Sequence, residues 1–206
     1  MSASPPSTEI AARKRALRRE VRARLQALPD RARVEGGAVA AALITRWLAA
    51  QETAGPVALF ASRALEIDTG PLDDALRAAG RVRLLPRIQA DTLTFHALPL
   101  DLPARELPKD RFGIPTPTPS CPAVPLAAAA FVIVPACAVD ARGRRLGWGR
   151  GYYDRALSSR RQEGVAQGTV ALILDAQLVD EVPMGPTDVR VASLCAPARG
   201  LLDAVP

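Results

Sequence analysis

The sequence predicts an α/β protein: a single domain whose largely parallel sheet is flanked by helices on both faces. Three observations predict it. Short apolar runs, PVALFA (56–61), RVRLLPR (81–87), TLTFHAL (92–98), FVIVPACAV (131–139) and GTVALIL (168–174), alternate with segments of helical period. At 206 residues the chain suffices for one well-buried domain and is short for two. A glycine-rich segment, RGRRLGWGRGYYDR (142–155), falls between an apolar run and a helix-like stretch, the order strand, loop, helix N-terminus.

Residues 1–8 read as a disordered Ser/Pro tail, and residues 9–206 as the domain. From 9 to 28 an amphipathic helix is expected, with Ile10, Leu17, Val21, Leu25 and Leu28 on one stripe. A second helix over 31–50 turns Val39, Leu43, Ile44, Trp47 and Leu48 inward. After the strand at 56–61, residues 65–80 form a loop and a helix capped by Asp68 or Thr69, with Pro71 in its first turn. The proline-rich stretch 99–127 is a long ordered loop, since strands resume beyond it. A helix at 151–162, a strand at 168–174, and a turn and last strand within 176–196 complete the chain, which has no internal repeats.

Composition narrows the function. No run of about 18 uncharged apolar residues predicts a membrane span, and MSASPPSTEIAARKR lacks a secretory core. Cys121, Cys137 and Cys195 are odd in number and widely spaced, which suits a reducing cytoplasm better than a disulfide framework or metal knuckle. His96 is the only histidine, so a multi-histidine zinc site or histidine triad is disfavoured, and its alternating context marks a plain strand residue. The net charge of +6 and pI of about 10.0 fit a nucleic acid or an anionic small ligand. Four Phe, two Trp and two Tyr leave little material for base stacking, which favours the small ligand.

Gly147, Gly149 and Gly151 alternate in the central segment, where backbone amides and the next helix favour phosphate. By itself GxGxG also fits an ordinary turn on a basic surface. Arg142, Arg144, Arg145 and Arg150, with Tyr152, Tyr153 and Asp154, tilt the balance to a nucleotide site. Lys14 falls within the apolar stripe of the first helix, beside Arg18, either as a snorkelling lysine or as a ligand group. Glu66 follows the first strand, where loops of an α/β sheet meet ligands, and is otherwise a surface acid. Asp154 could serve as charge at a helix start, and Asp188 as a turn residue.

RLGWGRGYYDR (145–155) resembles the RLGxGxGYYD signature of the 5-formyltetrahydrofolate cyclo-ligase family. It differs at Trp148, where tyrosine is frequent, and at Arg150, where glycine or lysine is frequent. KRALR (14–18) matches the family's K-x-x-L-R, which implies that Lys14 and Arg18 bind ATP phosphates. The resemblance extends ATP binding to Arg145, Leu146, Gly147, Trp148, Gly149, Arg150, Gly151, Tyr152 and Tyr153, with Arg145 and Arg150 as catalytic cations. It implies folate contacts from Ala61, from Glu66 in its EIDT context, and from residues 148–152. FGIP (112–115) is placed near the folate.

Asp154 and Asp188 match the magnesium-linked acids, although Thr187 stands where the family commonly has histidine. A carboxylate suits adjacent pterin N–H donors, and Mg²⁺ needs only one or two carboxylates beside phosphate oxygens and water. The implied reaction is ATP- and Mg²⁺-dependent cyclisation of 5-formyltetrahydrofolate, which can be polyglutamylated, to 5,10-methenyltetrahydrofolate. The expected protein is a cytoplasmic monomer without nucleic-acid or membrane partners. The rivals are a basic nucleic-acid-binding protein and the same fold acting on another small molecule with ATP.

Overall fold

The computed structural model describes residues 7–205. The expected tail falls mainly on residues 1–6, outside the described residues, and the first helix already includes Ser7 and Thr8. That helix, α1 (Ser7–Gln26), buries Val21 and Leu25 with Leu17 packed at the margin, as its stripe predicts, and ends two residues before Leu28, which packs against the same core.

Helix α2 (Asp30–Ala49) buries Ile44 and Leu48 and packs Leu43 and Trp47 against the core as expected, but not Val39. Val39 is 46% exposed, and the inward face runs through Gly36, Gly37, Ala40, Ala41, Ile44 and Leu48. Small residues prevail because a loop crosses close by. A Cβ on Gly37 would stand 2.3 Å from the Asp68 carbonyl oxygen. The Arg33 carbonyl accepts from the Asp68 amide at 3.2 Å, tying α2 to that loop.

Strand β1 (Val57–Ala58) leads through this loop to α3 (Gly70–Ala78). Asp68 Oδ1 accepts from the Gly70 amide at 2.9 Å, while the Thr69 hydroxyl donates back to the Phe60 carbonyl at 2.8 Å. Thr69 thus closes the loop rather than capping the helix. The hairpin of β2 (Arg83–Gln89) and β3 (Thr92–Ala97) is antiparallel, and β4 (Ala123–Val124) extends it. His96 is a satisfied strand residue: Nδ1 meets the Cys121 carbonyl at 2.9 Å and Nε2 the Thr94 hydroxyl at 3.0 Å.

The apolar run 131–139 is not one strand. It gives β5 (Phe131–Val134), breaks after Pro135, and resumes as β6 (Ala138–Val139), which pairs with β7 (Arg145–Leu146) in a separate hairpin. Helix α4 (Tyr152–Leu157) is six residues, shorter than the expected 151–162. It yields to a 3₁₀ turn and to β8 (Arg161–Gln162), which pairs with β9 (Val165–Leu172). The last expected strand is β10 (Arg190–Ala196), and β11 (Gly200–Asp203) adds an antiparallel edge that was not expected.

The strand order is β11-β10-β9-β5-β1-β2-β3-β4. The central strands β10, β9, β5, β1 and β2 are parallel, and the antiparallel strands lie outside them. Helices cover both faces unequally. Val21, Ile44, Leu72 and Leu76 of α1–α3 share a core with Val57, Leu85, Ile133 and Leu172. On the opposite face Leu157 of α4 packs with Ala58, Leu84, Val132 and Ala171. Because β1 is flanked by β2 on one side and β5 on the other, the chain order reverses between β1 and β5. In open α/β sheets a crevice forms at the carboxyl ends of strands at such a switch point. The loop with Glu66 leaves β1 there, and the path to the glycine segment leaves β5.

Candidate active site at the switch point

Asp140 builds the base of the glycine segment. It is fully buried, and Oδ1 accepts from the amides of Arg142 (3.0 Å) and Arg144 (3.2 Å). Oδ2 accepts from Arg144 Nε at 2.6 Å and the Val182 amide at 2.8 Å. One carboxylate therefore closes the β6–β7 turn and pins it to a distant loop. Sequence reasoning overlooked Asp140, although an Asp-x-x-Gly turn signal (140–143) is present.

From β7 the chain enters Gly147–Gly151. Gly149 has φ of 110° and Gly151 of 65°, conformations that favour glycine and carry the backbone into α4. Because α4 is so short, its dipole adds little, and loop amides and arginines remain the anion-binding groups. Leu146 is buried, whereas Gly149 and Arg150 are exposed. The Arg155 guanidinium lies 5.3 Å from the Tyr152 ring centroid.

Helix α1 lies against this loop. Arg18 Nε donates to the Gly147 carbonyl at 2.8 Å, and Lys14, one turn earlier, forms an ion pair with Asp188. Asp188 Oδ2 also accepts from the Gly185 amide at 2.6 Å. Four residues on from Arg18, Arg22 places its guanidinium 5.9 Å from the Trp148 ring centroid. Lys14, Arg18 and Arg22 thus form one column along the segment.

Arg145 sits beneath the loop, 3% exposed. It donates to Asp154 Oδ1 at 2.8 Å and to the Pro135 carbonyl at 3.3 Å, and lies 5.8 Å from the Tyr153 ring centroid. Contact with a phosphate would require the pair with Asp154 to open.

Glu66 is 5% exposed, and its Oε2 accepts from the Arg63 amide at 2.9 Å. Burial pushes its carboxyl above the usual range, opposed by that amide and by the Arg63 guanidinium. The Trp148 indole N–H lies near enough to ease this slightly without completing a hydrogen bond. Burial also raises the Tyr153 phenol, and the Glu66 charge adds to it. Cys137, inside the same region, is pushed up to about 11 by burial, which leaves an inert thiol. Ala61 packs at the edge of the core beside this loop.

Among the described residues seven buried side-chain polar atoms lack a hydrogen-bond partner, and three of them, Trp148 Nε1, the Tyr153 hydroxyl and Arg145 Nε, belong to the 145–153 segment. Unsatisfied buried polar atoms are rare and call for an explanation, such as a missing ligand. Here Trp148 and Tyr153 stand beside Glu66. The turn at 110–115 is held by Asp110 Oδ1, which accepts from the amides of Phe112 (2.8 Å) and Ile114 (3.0 Å), and leaves Phe112 exposed.

No group of three His, Cys, Asp or Glu side chains forms a ready metal cage among the described residues. Asp154 and Asp188 are instead each paired with a cation through one oxygen. Their second oxygens accept no hydrogen bond among the described residues. Such a donor set suits Mg²⁺ when substrate phosphates and water complete its shell.

The structure is thus an α/β protein whose parallel sheet carries cations, loop amides and a buried acid at its switch point. The 5-formyltetrahydrofolate cyclo-ligase family model matches residues 10–197. A 5-formyltetrahydrofolate cyclo-ligase of Mycolicibacterium smegmatis is 40% identical over 92 residues, 44% of this chain and 46% of that protein. One from Escherichia coli K12 is 31% identical over 150 residues, 69% of this chain and 78% of that protein. In fold, the chain resembles the 5,10-methenyltetrahydrofolate synthetase of Aquifex aeolicus, with a TM-score of 0.73 and 24% identity over 94% of this chain and 93% of the other. The synthetase of Mycoplasma pneumoniae gives a TM-score of 0.65 at 18% identity over 88% and 96% of the two chains. The chain belongs to the 5-formyltetrahydrofolate cyclo-ligase family, and its class of enzyme is the ligases.

Proposed function

We propose that this protein cyclises 5-formyltetrahydrofolate to 5,10-methenyltetrahydrofolate, converting ATP to ADP and phosphate. The observation that carries the reading is the pair of unpartnered polar atoms, Trp148 Nε1 and the Tyr153 hydroxyl, beside Glu66, next to a glycine loop held by Arg18, with Lys14 one turn along α1 on Asp188. Glu66 accepts from adjacent pterin N–H groups in bidentate fashion, with Ala61 and the 148–152 segment beside the ring. The loop amides, Lys14 and Arg18 hold the ATP phosphates.

A formamide oxygen is a poor leaving group. In the proposed reaction it attacks the γ-phosphorus, and the bond to the β-phosphate oxygen breaks to release ADP. N10 then adds to the activated formyl carbon and loses its proton. The C–O bond breaks with its electrons on phosphate, and the methenyl cation remains. The protein orients reactants and stabilises charge rather than supplying a strong base. Arg150 stands in the loop to meet the transferring phosphoryl group, and Arg145 holds Asp154 from below. Asp154 and Asp188 would be the acids to hold Mg²⁺, which when bound would supply further charge neutralisation.

We place the protein in the cytoplasm as a monomer acting on free or polyglutamylated folate. Three free, buried cysteines support a reducing compartment. Among the described residues no helix is long and apolar enough to cross a membrane. The test is methenyltetrahydrofolate absorbance with ATP, magnesium and 5-formyltetrahydrofolate. Product above the no-ATP control is expected, and none from folded protein would overturn the reading.

A further inference from the structure

Arg63 lies outside the motif positions that carry the family resemblance, yet it touches two groups of the site. Its amide donates to Glu66 Oε2 at 2.9 Å, and its Nε stands 3.9 Å from Oε1. The same guanidinium lies 5.5 Å from the Trp148 ring centroid. Its side chain is 43% exposed, against 6% for Glu66.

The other groups facing Glu66 are Trp148 of the glycine loop, Tyr153 of α4 and Cys137 between β5 and β6. Arg145 lies 5.8 Å from the Tyr153 ring centroid, and Arg33 and Asp68 line a cleft of about 280 Å³ together with Glu66. The Arg33 guanidinium is engaged by the Ala64 carbonyl. Arg63 is thus the cation whose charge meets the carboxylate within ion-pair distance among the described residues. An acid so deeply buried takes up a proton readily, and a protonated carboxyl presents a donor where pterin N–H groups need acceptors.

We propose that Arg63 is a positioning residue: it keeps Glu66 a two-oxygen acceptor and seats the Trp148 indole beside it. This rests on the reading of Glu66 as the pterin acid. A purely decorative surface ion pair would be worth almost nothing and would leave the acid's behaviour unchanged. The distinguishing property is therefore proton uptake at Glu66, read without turnover.

In a Trp47→Phe background Trp148 is the only tryptophan, so its emission in the free protein can be titrated with pH. The expected transition disappears in Glu66→Gln and moves to higher pH in Arg63→Ala. Arg63→Lys, which restores the charge on an equally exposed stem, moves it part of the way back. The acid limb of kcat/KM for 5-formyltetrahydrofolate shifts in parallel, while ATP affinity is unchanged. A transition that survives Glu66→Gln, or one that Arg63→Ala leaves in place, overturns the proposal. A transition that moves while folate kinetics do not upholds the Arg63–Glu66 coupling and counts against the pterin reading alone.

Discussion

Arg150 is exposed between two glycines, and its guanidinium makes no hydrogen bond or ion pair among the described residues. A planar fork so placed can hold two phosphoryl oxygens at once. If its contact forms mainly in the transition state, Arg150→Ala lowers kcat and kcat/KM together and changes ATP KM much less. Arg150→Lys recovers part of the rate. Steady-state kinetics with calorimetric ATP affinity check this, and wild-type kcat in Arg150→Ala removes the residue from the catalytic groups. Glu66 carries a cost of the opposite kind. Its carboxyl is raised from 4.5 by burial, so the folded protein holds that proton more tightly than the unfolded chain. The stability linked to it is fully present below about 4.5 and is lost as pH rises through the raised value. Glu66→Gln therefore raises Tm at neutral pH but not near pH 4, about 2–4 °C for each kcal/mol relieved at this chain length. It also raises folate KM with little change in ATP binding. Scanning calorimetry at both pH values and kinetics check the two halves.

At the scale of elements, helix α2 holds the loop that presents Glu66. A Cβ on Gly37 would stand 2.3 Å from a backbone oxygen, which cannot swing away like a side chain. Alanine gains about 1 kcal/mol of helix propensity over glycine. Overpacking costs about 1–3 kcal/mol, so the clash outweighs the gain. Gly37→Ala is expected to destabilise the protein and raise folate KM by displacing the Asp68 loop, as denaturant melts and kinetics would show. This contact explains why Gly36, Gly37, Ala40 and Ala41 were missed on the α2 face, although Ile44 and Leu48 were read correctly. Helical periodicity identifies large apolar residues, whereas close packing here selected glycine and alanine. The stripe of α1 was legible because Val21 and Leu25 meet the core without crowding. The β6–β7 hairpin was hidden because an apolar run interrupted by Pro135 reads as one strand until Asp140 is seen to close a turn.

At the scale of the molecule, alternation of strands and helices reveals the parallel centre but not the strand order. The switch point between β1 and β5 follows from long-range register, which periodicity does not encode. Motif resemblance placed Glu66 and the glycine loop in one site although they are distant in sequence. It did not reveal Arg22 and Arg63 around Trp148, because their contacts arise only when α1 and the β1 loop meet that segment. The proposed reaction puts phosphates on one side of the crevice, pterin on the other, and the formyl oxygen between them. The most direct test is to supply 5-formyltetrahydrofolate carrying ¹⁸O in its formyl group, with ATP and magnesium, and to recover the inorganic phosphate by mass spectrometry. Activation of that oxygen by phosphoryl transfer predicts one ¹⁸O in each phosphate released. Unlabelled phosphate, with the label lost to water, would contradict the account.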